Sequence, residues 1–259
     1  MKSFMLIVSN LLAWFWLLIP AQLRSAVLTG LIILESRSSD PAQGLRRLML
    51  LKDRFEWIIN ERAMAYGRGE HPKHRLTQYH SFSIDRIQDG ERVLDVGCGY
   101  GAVARSIARA LPRSTVVGID LNEARISQAQ GSRNPLNLSF VLADATKEVP
   151  LGNWDVVVIS NVLEHIVDRS HFLRDLQVLS RASRILVRVP LFERDWQIPL
   201  REELRIDYFS DDDHKIEHKL AEFQAEVSVA GLDAVELKTL WGEIWADCRP
   251  KCDTGDVSR

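Results

Sequence analysis

Charge of one sign is what this sequence lacks: 33 lysines and arginines face 35 aspartates and glutamates, a formal net charge of -2 at pH 7. No global positive field is available to hold a nucleic-acid backbone, so nucleic acid is not an expected partner. Cysteine is scarce too. Cys98, Cys248 and Cys252 are too few for a disulfide framework, and Cys98 lies in a glycine-rich turn that must stay open for a ligand. That usage fits a reducing, cytosolic setting. Repeats and low-complexity tracts are absent, and 259 residues suffice for one large α/β domain behind an N-terminal extension.

Residues 4–19, FMLIVSNLLAWFWLLI, carry no charge at all; Pro20 interrupts the run, Arg24 adds one charge, and SAVLTGLIIL resumes it. As a helix rising about 1.5 Å per residue, the first run reaches roughly 24 Å, short of a hydrocarbon core of roughly 30 Å. No small-x-small cleavage site follows, so a secretory signal is set aside. Three arrangements remain. A single short transmembrane helix, oriented by Arg37, Arg46 and Arg47, would leave the following domain in the cytoplasm. A surface or re-entrant hairpin kinked at Pro20, with Trp14 and Trp16 near the headgroups, explains the proline better. A helix packed on the protein's own surface or in a dimer interface is the third. Membrane association of residues 1–36, at a cytoplasmic face, is the expectation.

Asp40-Pro41 is a helix start, and Leu45, Leu48, Leu51, Phe55, Ile58 and Ile59 follow at helical spacing, predicting an amphipathic helix over 41–66. Gly67, Gly69 and Pro72 end it, and HPKHRLTQYH leads into a short helix ending near Ile87. Strand and helix then alternate: ERVLDV, AVARSIARAL, STVVGID, NEARISQAQ, LSFVLAD, WDVVVIS, a helix over 169–179, and RILVRVP. This order predicts a parallel sheet with helices on both faces. A helix over 214–230 follows. DAVELKTL and GEIWADCR, separated by Trp241 alone, are too close for a parallel crossover and must form an antiparallel hairpin. The domains expected are an apolar segment 1–36, a helical extension 37–88, an α/β domain 89–250 and a tail 251–259.

VLDV runs into Gly97-Cys98-Gly99-Tyr100-Gly101 and a helix. Glycines there let the backbone approach a ligand, and the helix start offers free N–H groups. Dinucleotide binders share such a turn. Here Asp95 precedes it, and a carboxylate would repel a diphosphate but attract the cationic amino end of S-adenosylmethionine (SAM). Asp120, about 20 residues on at the end of the second strand, is placed for ribose hydroxyls, although a helix cap is the plainer role. Ala143-Asp144-Ala145 ends the third strand, beside an adenine amino group, and Ser160-Asn161 ends the fourth.

VLDVGCGYG, VVGID, LAD and WDVVVISNVLEHI resemble the successive motifs of class I SAM-dependent methyltransferases, over roughly residues 75–250. The resemblance implies a seven-stranded Rossmann-like sheet, mostly parallel with a C-terminal antiparallel hairpin. It implies SAM as cofactor, S-adenosylhomocysteine as product, and methyl transfer as the activity. Asp95, Gly97 and Gly99 would line the methionine end, Asp120 the ribose, Asp144 and Ala145 the adenine, and Asn161 the far wall. Cys98, Gly101 and Leu121 complete the expected cofactor set. HPKHRLTQYH and RVPLFERDW are similar to bacterial members associated with surface-glycan and lipid modification.

An oxygen acceptor needs a base, and His165, His214 and His80 are the candidates, with His218 nearby; for each, a structural hydrogen bond is the plainer role. Asn161-x-x-Glu164-His165, if helical, shares one face that a histidine from Asp211–His214 could approach. That spacing is similar to an E-x-x-E-H motif that holds a divalent metal in some small-RNA and quinone-precursor O-methyltransferases. Asn161 in place of the first glutamate removes an anionic ligand, so no metal is expected. The insert LFERDWQIPLREELRIDYFSDDD, with Phe192, Trp196 and Tyr208, is the expected cover over a small-molecule, glycan or lipid-linked acceptor. Two other classes stay open. One is a catalytically inactive SAM-binding or membrane-tethered protein; the other, a dehydrogenase, is disfavoured by the turn spacing and the hairpin.

Overall fold

The computed structural model describes residues 2–68, 71–150, 152–211 and 213–251. Cys252 and nearly all of the expected 251–259 tail lie outside them. The chain divides into two compact units: residues 1–69 with Glu203–Ile206, and residues 70–202 with 207–259. The division falls within the expected 37–88 extension.

The first unit is helical. α1 (Lys2–Leu17) and α2 (Ala21–Ser36) are 16 residues each and are separated at Pro20, which has no N–H to donate back into a continuing helix. Among the described residues no helix is long and apolar enough to cross a membrane. Two helices, not one, occupy the apolar segment. α3 (Pro41–Tyr66) matches the expected bounds: Asp40 accepts from the Ala42 N–H and Pro41 occupies the first turn. Arg46 Nε donates to the Leu204 carbonyl at 2.8 Å, tying the Glu203–Ile206 stretch to α3. No residue of α2 is buried, and Trp14, Phe15, Trp16, Leu17 and Leu18 are all exposed.

The second unit opens with two short helices, α4 (Lys73–Thr77) and α5 (Ser81–Ile84). The alternation then runs β1 (Arg92–Val96), α6 (Ala102–Ala110), β2 (Thr115–Asp120), α7 (Glu123–Gly131), β3 (Leu138–Leu142) and β4 (Val156–Ser160). It continues through α8 (Arg169–Ser180), β5 (Arg184–Pro190), α9 (Gln197–Glu203) and α10 (Leu220–Val229), and ends on β6 (Leu232–Leu240) and β7 (Glu243–Pro250). The seven strands form one sheet in the order β3-β2-β1-β4-β5-β7-β6. β1 to β5 are parallel to one another, whereas β7 is antiparallel to both β5 and β6. Trp241 and Gly242, with φ of 57° and 76°, make the tight turn whose twist suits a hairpin.

Side chains alternate across the strands, and the core splits accordingly. Leu94, Val96, Val157 and Ile159 pack on α8 and α10 through Leu173, Leu176 and Phe223. Val93, Val156 and Val158 pack on α6 and α7 through Ile107 and Ile126. Each fully buried aliphatic side chain contributes roughly 1.5–3 kcal/mol, and this two-sided burial fixes the register in which the strand ends meet.

Candidate active site

Parity along β1 decides where its carboxylate goes. Asp95 shares a face with Val93, so it looks toward α6 and accepts the Ala104 N–H at 3.1 Å. It is buried, and burial pushes its carboxyl up to about 7 against the pull of that hydrogen bond. Gly97, with φ of 66°, turns the chain; a Cβ there would lie 2.3 Å from a Val162 methyl. Burial holds the Cys98 thiol far above the usual range. Its N–H donates to the Ile119 carbonyl, and the Gly99 N–H donates to Asp120 Oδ2 at 2.9 Å. Asp120 Oδ1 also accepts the Asn122 N–H. Each oxygen keeps a second lone pair, so one side chain can lock the turn and still accept from a ligand.

The ends of β1, β2, β3 and β4 open together on a cleft of about 530 Å³. Gly97, Asp120, Leu121, Asp144, Ala145, Asn161, His165 and His214 line it. Asp95, Cys98, Gly99 and Gly101 do not. Asp95 holds the Ala104 N–H, and the Gly99 N–H braces Asp120 within the turn. Asp144 is held down to about 2 by Lys147 and Thr146, its Oδ2 lying 2.8 Å from Lys147 Nζ. Asn161 has φ of 56°, a left-handed backbone, and its N–H donates to the Arg188 carbonyl. The helical reading of Asn161-x-x-Glu164-His165 therefore fails: only Leu163–His165 forms a single 3-10 turn.

The histidines separate sharply. His80 is not on the cleft; its Nδ1 lies 2.7 Å from Ser106 Oγ, and burial, with His74 and Arg188 adding, lowers it to about 4. His218 is fully buried, with Nε2 3.4 Å from Glu226 Oε2 and its ring against Phe223. His165 and His214 meet edge to face on the cleft, ring centroids 4.8 Å apart. The expected helix over 214–230 begins only at Leu220, because His214–Lys219 is instead pinned by other bonds: the Lys215 N–H to the Glu164 carbonyl, and the Phe192 N–H to the His218 carbonyl.

Glu164 is wholly buried, and neither carboxylate oxygen has a hydrogen-bond partner; burial raises it to about 8. Arg125, Thr146, Ile166, Phe172, Asp211 and Asp213 also line the cleft. The sequence reading assigned none of the first four, which sit at ordinary helix and loop spacing. Glu217, which holds His214, carried no signal either. The expected cover is partly core: Phe192 is buried against Tyr208, while Trp196 is exposed, and none of the three lines the cleft.

Residues 93–186, from β1 into β5, match the family described as "Methyltransferase domain". This stretch is a methyltransferase domain with the class I fold. The domain is 35% identical over 104 residues to a ribosomal protein L11 methyltransferase of Ralstonia pickettii (strain 12J), covering 39% of this chain and 33% of that one. It is 31% identical over 115 residues to a fatty-acid O-methyltransferase of Mycolicibacterium smegmatis (strain ATCC 700084 / mc(2)155), covering 44% and 40%. The chain thus spans only about a third to two fifths of these curated relatives. The fold is similar to that of magnesium protoporphyrin IX methyltransferase from Synechocystis PCC 6803, crystallised with bound S-adenosylhomocysteine. That likeness has a TM-score of 0.54 at 18% identity, covering 67% of this chain and 83% of the other.

Proposed function

We propose that this chain is a SAM-dependent methyltransferase that methylates an oxygen of a small-molecule, sugar or lipid-linked acceptor. The observation that carries the reading is the cleft at the ends of β1 to β4, where the methyltransferase domain matches, lined by Gly97, Asp120, Asp144 and Asn161. SAM supplies a methyl group on a cationic sulfur. Asp120 would hold the ribose, Asp144 and Ala145 the adenine, and Gly97 would let the backbone close on the methionine end. Asp144 would exchange its exposed Lys147 partner for that contact. Alignment in a closed cleft supplies most of the acceleration, and His165, a third exposed on the cleft wall, takes the hydroxyl proton.

Calorimetry with SAM, followed by a screen of membrane and glycan extracts with methyl-labelled SAM, tests the proposal. SAM binding and a labelled product are expected. Binding without any product would leave the catalytically inactive alternative, and no binding would end the reading.

Its setting is the cytoplasmic face of a membrane, reached through residues 1–36. Trp14 to Leu17, the last four residues of α1, are all exposed and apolar, about one helical turn, so every side of the helix end is apolar. A one-sided protein interface needs only a stripe; an all-round apolar helix suits hydrocarbon.

A further inference from the structure

The helical unit carries a charge balance of its own. Residues 1–69 hold nine lysines and arginines against five aspartates and glutamates, a net charge of +4 in a chain whose total is -2. A cationic and largely apolar unit on an otherwise acidic protein is drawn to a surface that is anionic outside and apolar within.

After the link Arg37–Asp40, α3 turns back against α2, and at Gly44 the two are so close that a Cβ there would run into the Ser36 carbonyl oxygen. Away from that contact a groove of about 490 Å³ runs between them. Its apolar walls are Leu28, Leu31 and Ile32 of α2 and Leu50, Leu51 and Phe55 of α3, one stripe of each helix. Arg47, Arg54 and Glu35 complete the lining. Arg47 and Arg54 share that stripe two turns apart, about 10 Å along the axis, so they reach two anionic groups and not one. Arg47 gives one N–H to the Arg37 carbonyl at 3.3 Å. Arg54 is exposed and has no hydrogen bond or ion pair among the described residues.

What else is uncovered decides the occupant. Leu23, Val27, Leu28, Leu31, Ile33 and Leu34 of α2 are exposed, and at about 100° per residue they run around more than half of that helix. A protein partner covers one stripe, whereas a bilayer covers all of them. A second copy of the chain would bring the same excess of positive charge to the groove, and like charges at close range oppose pairing.

We propose that the groove between α2 and α3 is a docking surface for anionic phospholipid, its apolar walls taking acyl chain and Arg47 and Arg54 the headgroup phosphates. The proposal rests on the membrane attachment proposed above and adds to it the lipid class and α3, which lies outside residues 1–36.

Full-length protein is sedimented with vesicles of phosphatidylcholine alone, or of phosphatidylcholine mixed with phosphatidylglycerol. A preference for the anionic vesicles of roughly tenfold or more is expected, and it should shrink as salt is raised. Arg47→Gln and Arg54→Gln together should lower partition onto the anionic vesicles by about 10- to 30-fold and leave the neutral ones unchanged. Arg54→Gln alone, at an exposed side chain, should show part of that loss with the fold undisturbed. Arg62→Gln with Arg68→Gln removes the same charge outside the groove and should cost much less. Equal binding to both kinds of vesicle, or an equal loss from the outside pair, overturns the lipid site and leaves membrane attachment standing. Binding to neither takes both readings down. A dimer formed without lipid and separated by Leu31→Glu would put a second copy in the groove and overturn the proposal.

Discussion

Asp95 and Asp120 show how two carboxylates of one motif come to do different work. Asp95 is sealed against α6 and pushed up to about 7, so the folded state holds a proton that the unfolded chain releases near 3.8. Its contribution is therefore complete at low pH and is lost as pH rises from about 4 through 7. Asp95→Asn keeps an acceptor for the Ala104 N–H, and its thermal midpoint should fall less than that of the wild type across this interval. Melting curves from pH 4 to 8 check this, and parallel profiles would refute it. Asp120 lies on the cleft, and Asp120→Ala should weaken SAM binding by about 10- to 100-fold, the loss of charge-assisted hydrogen bonds worth roughly 1.5–3 kcal/mol. Calorimetry on a variant with native circular dichroism reads it; unchanged affinity would take Asp120 out of the site. Both aspartates were legible as a motif. Which one touches the cleft was not, because it depends on the parity of Val93 and Leu94 across a sheet that no local pattern reveals.

At the scale of elements, the strands, the Asp40-Pro41 helix start and the terminal hairpin could all be read from periodicity and turn residues. The stretch His214–Lys219 could not. Its residues suit a helix, yet the Lys215 N–H reaches the Glu164 carbonyl some fifty positions away in sequence, and such distant bonds override local preference. The apolar run was legible as apolar, and its break at Pro20 as a kink. Deleting residues 1–36 should move the protein from sedimenting lipid vesicles to the supernatant while SAM affinity is retained. A full-length protein that stays monomeric in solution without lipid or detergent would refute membrane attachment. Within the glycine turn, Gly97→Ala should cost more stability than an ordinary surface change, since the new methyl meets Val162 and the backbone is left-handed. Denaturant midpoints will show it.

For the molecule as a whole, a ligand that binds only the folded state must stabilise it. SAM at a hundredfold excess over its Kd should add about 2.7 kcal/mol, seen as a higher melting temperature that Asp120→Ala reduces. The sheet order carries another consequence. β7 lies between β5 and β6, so the strand made last occupies an interior position. On the ribosome, β5 emerges with the apolar edge of Ile185, Leu186 and Val187 and finds no neighbour on that side. Roughly fifty more residues must be translated first, about 3–10 s at ordinary elongation rates. β6 arrives earlier but belongs one place farther out. The nascent domain thus passes through an interval with an open strand edge, the kind of surface that chaperones bind and that pairs wrongly with a neighbouring chain on a crowded polysome.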